Sequence, residues 1–174
     1  MKSLIFSTTH HKKSKTDSVA RYLNNQLEQR NHESSYIHLG DLNLPICDGY
    51  ECYKDPNVID LQQKVAQATS FIICSPIYNY DLNAIAKNLI ELCGQGFQDK
   101  IIGLAVTAGG QNSYMAPLSF INSLLIDFRC IIVPRYVYVT SDAFDQDNNI
   151  KDEAITARLN QLAENLHQLS YKLQ

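Results

Sequence analysis

At 174 residues, with 45% hydrophobic and 19% charged content, the chain is long enough for one domain with a full core and too short for two. A formal net charge of -3 provides no basic excess, which argues against nucleic acid as a main partner. The opening "MKSLIFSTTHH" returns to polar residues well before it could serve as a signal core or a membrane span, so the expectation is a cytoplasmic protein with no membrane partner.

In chain order, the first element is "SLIF" (3–6), a short apolar run of the kind a strand buried on both faces needs. The loop "STTHHKKSKTDS" (7–18) follows, and then a helical stripe of Val19, Leu23 and Leu27 whose start is expected near Thr16. "SSYIHL" (34–39) is a weaker strand. The irregular stretch from Gly40 to Pro56 is expected to be a surface excursion, and Val58, Leu61 and Val65 mark the next helix. "FIICS" (71–75) is a strand, and a helix is expected to begin at Leu82 and to carry Ile85, Ala86, Leu89 and Cys93 inward. "IIGLAV" (101–106) and "CIIVP" (130–134) complete five strands, separated by a helix with Leu118, Ile121, Leu125 and Phe128. Ile155, Leu159, Leu162, Leu166 and Leu169 form the closing helix.

Strands regularly interleaved with helices imply parallel pairing, because parallel strands need crossover connections. The chain is therefore expected to be a single α/β domain over residues 1–174, with a doubly wound, five-stranded parallel sheet and helices on both faces. Such folds bind ligands beyond the carboxyl ends of the strands. Three loops stand there.

The first, 7–18, combines hydroxyls, lysines and histidines with a helix start, which suits a phosphate. It lacks the leading glycine of a P-loop, and no GxGxxG follows the first strand. In the second, Pro76, Ile77, Tyr78 and Asn79 sit at a seam between strand and helix, where Tyr78 offers a flat face and a hydroxyl to a ligand or to a subunit interface. The third, "TAGGQNS" (107–113), pairs Gly109 and Gly110 before a helix expected near Ser113, and lets backbone approach a flat ligand.

Adjacent His10 and His11 are poorly placed to chelate one metal, and His32, His38 and His167 have no partners at ligand spacing, so no metal site is expected. The five cysteines include no CxxC pair and read as reduced core thiols.

Taken together, the three loops resemble the NADPH-dependent FMN reductase family of flavodoxin-like proteins, which includes many quinone and azo-dye reductases. The first loop is similar to that family's phosphate loop, with Thr8, His10, Ser14, Lys15 and Thr16 in the phosphate-contacting places, Ser7 where a glycine is usual and His10 where an arginine is usual. "PIYNYDLNAIAKNLIEL" resembles the Pro-x-Tyr-Asn motif, with Lys87, Asn88 and Glu91 in step, and "TAGGQNS" resembles the double-glycine turn beside the flavin ring, adding Thr107.

The resemblance implies strand order 2-1-3-4-5, FMN as cofactor and NADPH or NADH as hydride donor. It also implies a ping-pong cycle through flavin N5 to a small acceptor such as a quinone, azo compound, flavin or metal ion, and a homodimer or homotetramer. No side chain is then needed as acid or base. Two other readings stay open at this level: a flavodoxin-type electron carrier, and a divergent non-catalytic module.

Overall fold

The computed structural model describes residues 2–173. A central parallel sheet takes β1 (Lys2–Ser7), β2 (Glu33–His38), β3 (Ser70–Tyr78) and β5 (Ile101–Ala108) in the spatial order β2-β1-β3-β5. The fifth position is divided between β6 (Ile131–Ile132) and β7 (Val137–Thr140), both parallel to β5. The expected order 2-1-3-4-5 holds for these five positions. A two-residue antiparallel strand, β4 (Asp81–Leu82), pairs with the end of β3 in addition.

The last strand differs from the expected "CIIVP". Val133 still donates its amide to Ile102, 2.9 Å away, but Pro134 has no amide to give, and the ladder resumes only at Val137. The strand that reaches the ligand end of the sheet is therefore "VYVT", alongside Ala105 to Ala108.

Strand side chains alternate between two cores, as the pleat requires. Leu4, Phe6, Phe71, Ile73, Ile102 and Leu104 face the layer made by α2 (Pro56–Gln67), α3 (Ala84–Phe97) and α4 (Pro117–Ile126). Ile5, Ile72, Cys74 and Ala105 face α1 (Lys15–Glu28) and α5 (Glu153–Lys172). Phe71 and Phe97 lie with ring centroids 4.7 Å apart and Phe6 packs against both. Truncating any of these three buried rings to alanine should cost about 3–5 kcal/mol.

Three helix starts shift from expectation. Ser14, not Thr16, caps α1, accepting the Asp17 amide on Oγ at 3.1 Å. Helix α3 starts at Ala84 behind an Asn83 cap, since Leu82 is held in β4. Helix α4 starts at Pro117, whose missing amide suits a first helical position, so Ser113 to Ala116 remain in turns.

Cys74, Cys93 and Cys130 are buried, as their apolar contexts suggest, but Cys47 and Cys52 lie together in the 40–56 excursion. Among the described residues, no helix is long and apolar enough to cross a membrane.

Candidate functional site

The carboxyl ends of β1, β3 and β5 lie side by side at one end of the sheet, and a single side chain ties the first two together. Asn83, buried at the start of α3, accepts the Thr8 hydroxyl at 2.9 Å and the Ser75 hydroxyl at 3.2 Å, donates its amide to the Thr8 carbonyl, and accepts the Ala86 amide at 3.1 Å. The exits of β1 and β3 are thus fixed to the cap of α3 by one amide group.

Loop 8–14 leaves this knot. The His11 amide donates to Thr9 Oγ1 at 3.0 Å and the Ser14 amide to the His11 carbonyl at 3.3 Å, with Lys13 in the left-handed region at φ 62°. Gly40 presses on the loop from beneath, where a Cβ would stand 2.6 Å from the Thr9 carbonyl oxygen. Ser14 takes the Asp17 amide, leaving the Lys15 and Thr16 amides at the mouth of α1 without intrahelical acceptors. The Thr16 hydroxyl is engaged by Thr107 Oγ1 at 2.5 Å.

The segment after β3 is a tight hairpin. Ile77 pairs with Leu82 and Tyr78 with Asp81, so Asn79 and Tyr80 form a two-residue turn, at φ 51° and 63°. Positive φ at both central positions is the type I′ geometry that fits the twist of paired strands. Tyr78 stands at the rim, 61% exposed.

The third loop is braced from the sheet edge. The Tyr138 hydroxyl, from β7, donates to the Gly110 carbonyl and lies 3.0 Å from Ser113 Oγ, while Ser141 Oγ reaches the Ala108 carbonyl at 3.4 Å. A Cβ on Gly109 or Gly110 would meet no protein atom within 4 Å, and at Gly109 that open space belongs to the cleft.

Together these segments enclose an open cleft of 340 Å³, in the range of roughly 300–1,000 Å³ typical of small-molecule sites. Of the residues expected from sequence, Ser14, Lys15, Thr16, Pro76, Ile77, Tyr78, Thr107 and Gly109 line it. Thr8, His10, Asn79 and Gly110 do not. Thr8 is fully buried in the Asn83 knot, His10 is exposed, Asn79 is spent on the hairpin turn, and Gly110 serves as Tyr138's acceptor. Five residues beyond that set join the wall: Thr9, His11, Ala108, Ser141 and Asn148. Asn148 donates to the Lys13 carbonyl at 3.0 Å, closing a flap over the first loop. The signal for His11 was its adjacency to His10; Ser141 follows a strand that an apolar-run criterion does not detect.

A larger groove of 830 Å³ runs between α2, α3 and α4, but none of its walls comes from a strand or a strand-end loop. Size alone does not mark the site.

Behind loop 8–14 lies a charged cluster. Burial works against an ionised Asp17, but hydrogen bonds from Tyr36 and Arg21 outweigh it and hold the carboxyl below its ordinary range. Burial, reinforced by that same bond, pushes Tyr36 well up. Asp17 is thus satisfied internally, and Lys12 is paired with Asp41 at 2.7 Å, which leaves Lys15 as a cation in the cleft wall. His32 and His167, far apart in sequence, meet with their Nδ1 atoms 3.0 Å apart at another end of the sheet. Among the described residues, no cluster of three or more His, Cys, Asp or Glu side chains is arranged to hold a metal.

A doubly wound sheet with hydroxyls, amides and a lysine at the mouth of α1, and a backbone-walled slot beside it, defines a flavodoxin-like α/β protein with a cleft at the carboxyl ends of its strands. The chain belongs to the NADPH-dependent FMN reductase family, whose sequence profile matches residues 1–145. It is 27% identical to an NAD(P)H-dependent FAD/FMN reductase of Geobacillus thermodenitrificans, over 73% of this chain and 70% of that one. It is 25% identical to an NADPH azoreductase of a Bacillus species, covering 88% of this chain and 84% of the relative. Among solved structures, the flavoenzyme NAD(P)H:(acceptor) oxidoreductase FerB of Paracoccus denitrificans superposes with a TM-score of 0.78 at 18% identity, over 98% of this chain and 97% of its own. Family membership makes this chain an NAD(P)H-dependent flavoenzyme with FMN as its cofactor.

Proposed function

We propose that the 340 Å³ cleft is the FMN site of an oxidoreductase that passes reducing equivalents from NADPH or NADH to a small oxidised acceptor in a ping-pong cycle. The carrying observation is the division of one cleft into two chemistries. At one end Ser14, the Lys15 ammonium and the Lys15 and Thr16 amides suit a phosphate monoester. At the other, Pro76 to Tyr78 and Ala108 to Gly109 provide walls largely of backbone, with Gly109 open toward the cleft, which suits a flat ring. The donor set therefore fits FMN.

Bound there, FMN supplies the two-electron chemistry. The protein's residues hold and orient it. Asn83 fixes the relative position of loops one and two, Tyr138 holds the Gly110 carbonyl, and the Thr16–Thr107 bond sets the distance between α1 and β5. The openness of the cleft at Tyr78 leaves one face for donor and acceptor to use in turn, which is the basis for ping-pong kinetics. Quinones, azo compounds, free flavins and metal ions are acceptors that need only that access, and the relatives named as an azoreductase and a flavin reductase fall within this range.

The functional unit in this reading is a cytoplasmic homodimer or homotetramer. The apolar residues of α3 do not supply that interface, because Ala86, Leu89, Ile90, Leu92 and Cys93 are buried within the single chain. Exposed Tyr78, Met115, Leu118 and Ile126 are among the apolar side chains left at the surface. Light scattering at micromolar concentration measures the assembly.

The test of the function is an anaerobic absorbance scan of the FMN-loaded protein on addition of NADPH, then NADH, followed by initial rates against a quinone. Bleaching of the flavin band and parallel double-reciprocal lines are expected. A flavin that resists both nucleotides would sink the enzymatic reading, and intersecting lines would sink the ping-pong order.

A further inference from the structure

The 40–56 excursion is not part of the cleft, yet it is closely ordered around two sulfurs. Asp48 Oδ1 accepts the Tyr50 amide at 2.9 Å and the Cys52 amide at 3.0 Å, with Gly49 in the left-handed region at φ 75°. That turn folds the chain back on itself. It brings Cys52 Sγ to 3.8 Å from Cys47 Sγ, with the Cys52 thiol directed at its neighbour. The Tyr53 hydroxyl lies 3.5 Å from the Cys47 sulfur and 3.3 Å from the Glu91 carbonyl. Asn88 clamps the same segment onto α3, accepting the Cys47 amide at 2.8 Å and donating to the Pro45 carbonyl at 3.0 Å.

The other three thiols differ in kind. Cys74, Cys93 and Cys130 are buried singly in the cores, each without a second sulfur beside it, and burial drives each above the ordinary thiol range, as it does the covered Cys52. Cys47 is partly exposed, Cys52 is covered, and only these two face each other. An accessible sulfur beside a covered one, on a turn already folded, is the arrangement of an attacking and a resolving thiol.

We propose that Cys47 and Cys52 form a reversible dithiol/disulfide site, oxidised by hydroperoxides and reset by thiol reductants. The Cys47 thiolate attacks one peroxide oxygen; the O–O bond breaks, an S–O bond forms, and water leaves with the thiol's proton. The Cys52 sulfur then attacks Cys47, the S–S bond forms, and the S–O bond breaks as hydroxide that leaves with the Cys52 proton as a second water. Two thiols lose two electrons and two protons, and one hydrogen peroxide becomes two waters. The sulfurs must close from 3.8 Å to about 2.05 Å, which is within reach of a small movement of this turn. Because Asn88 and Tyr53 fasten the turn to α3, the closure is transmitted to the helix that Asn83 caps at the cleft. This site does not depend on the assignment of the cleft.

The test uses the full-length reduced protein, treated with one equivalent of hydrogen peroxide, then alkylated with iodoacetamide and analysed by intact-mass and peptide mass spectrometry. Cys47 and Cys52 should escape alkylation together, with loss of two hydrogens and a linked 47–52 peptide, roughly tenfold faster than any core thiol reacts. Dithiothreitol should restore both. In Cys52→Ser the reaction should stop at a sulfenic acid trapped by dimedone, and in Cys47→Ser no disulfide should form. A wild-type protein oxidised at Cys47 with Cys52 still alkylated, disulfides between chains on a non-reducing gel, or no reaction ahead of the core thiols would each overturn the proposal without recourse to the variants.

Discussion

Thr16 and Thr107, 91 residues apart in the chain, join hydroxyls at 2.5 Å where the N-terminus of α1 meets the end of β5. Both are buried, so each is the other's partner rather than water's. Replacing Thr107 with valine preserves shape but leaves the Thr16 hydroxyl unpaired, at a cost of about 1–2 kcal/mol in urea unfolding. Thr16→Val should cost a similar amount. The double variant should lose clearly less than the two single losses added, because the second replacement removes the orphan that the first created. Strict additivity would mean that the two hydroxyls do not depend on each other.

The Asn79–Tyr80 turn makes a second point about sequence against geometry. Both residues have positive φ, which asparagine adopts at less cost than tyrosine. Tyr80 is 67% exposed, so its ring gains little that would offset the strain. Tyr80→Gly should therefore raise the urea midpoint, by up to about 1 kcal/mol in stability, with an unchanged denaturant slope. A lowered midpoint would mean that ring contacts outweigh the backbone term.

That turn also shows what was legible in the sequence and what was not. Runs such as the one around Ile72 and Ile102, and the stripe Leu159, Leu162 and Leu166, gave their elements directly because burial on both faces or on one helix face forces those periods. The hairpin escaped because its turn is Asn-Tyr rather than Asn-Gly. The strand Val137–Thr140 escaped because Pro134 and Arg135 break the apolar run that begins at Cys130, and Ser141 and Asn148 were lost with it. Ser14 and Thr16 are both good cap residues, so only the backbone distinguishes them. The meeting of His32 with His167 is purely tertiary, and no spacing rule reaches it.

That pair predicts a pH dependence. Burial, and then the neighbouring His167, lower the pKa of His32 below its ordinary value near 6.5, while Glu33 opposes this weakly. Its Nε2 is held 2.6 Å from Ser3 Oγ. Below about pH 6.5 the unfolded chain binds a proton that the folded chain resists, so stability is full above that value and falls as pH drops through the window below it. Thermal unfolding should show a flat midpoint from pH 8 to about 7 and a decline from about 6.5 downward. His167→Gln removes the like charge but keeps a hydrogen-bonding group, and its decline should be shallower. Identical slopes in the two proteins would assign the acid sensitivity to another group.

Two lysines of the first loop separate the phosphate assignment from a general basic surface. Lys15 lines the cleft, with Nζ 5.7 Å from the Phe144 ring centroid, whereas Lys12 is spent on Asp41 outside it. A charge-assisted bond to a bound phosphate contributes on the order of 1–3 kcal/mol, and each 1.4 kcal/mol is about tenfold in affinity. Lys15→Gln should therefore raise the FMN dissociation constant by roughly 10- to 100-fold in a flavin-fluorescence titration, with a weaker salt dependence than the parent. Lys12→Gln carries the same change in net charge and should shift it by no more than about twofold, since an exposed pair contributes little. Equal losses in the two variants would show a diffuse electrostatic effect and place the phosphate elsewhere. Riboflavin, which lacks the phosphate, gives the internal control: its affinity should be the same for Lys15→Gln as for the parent.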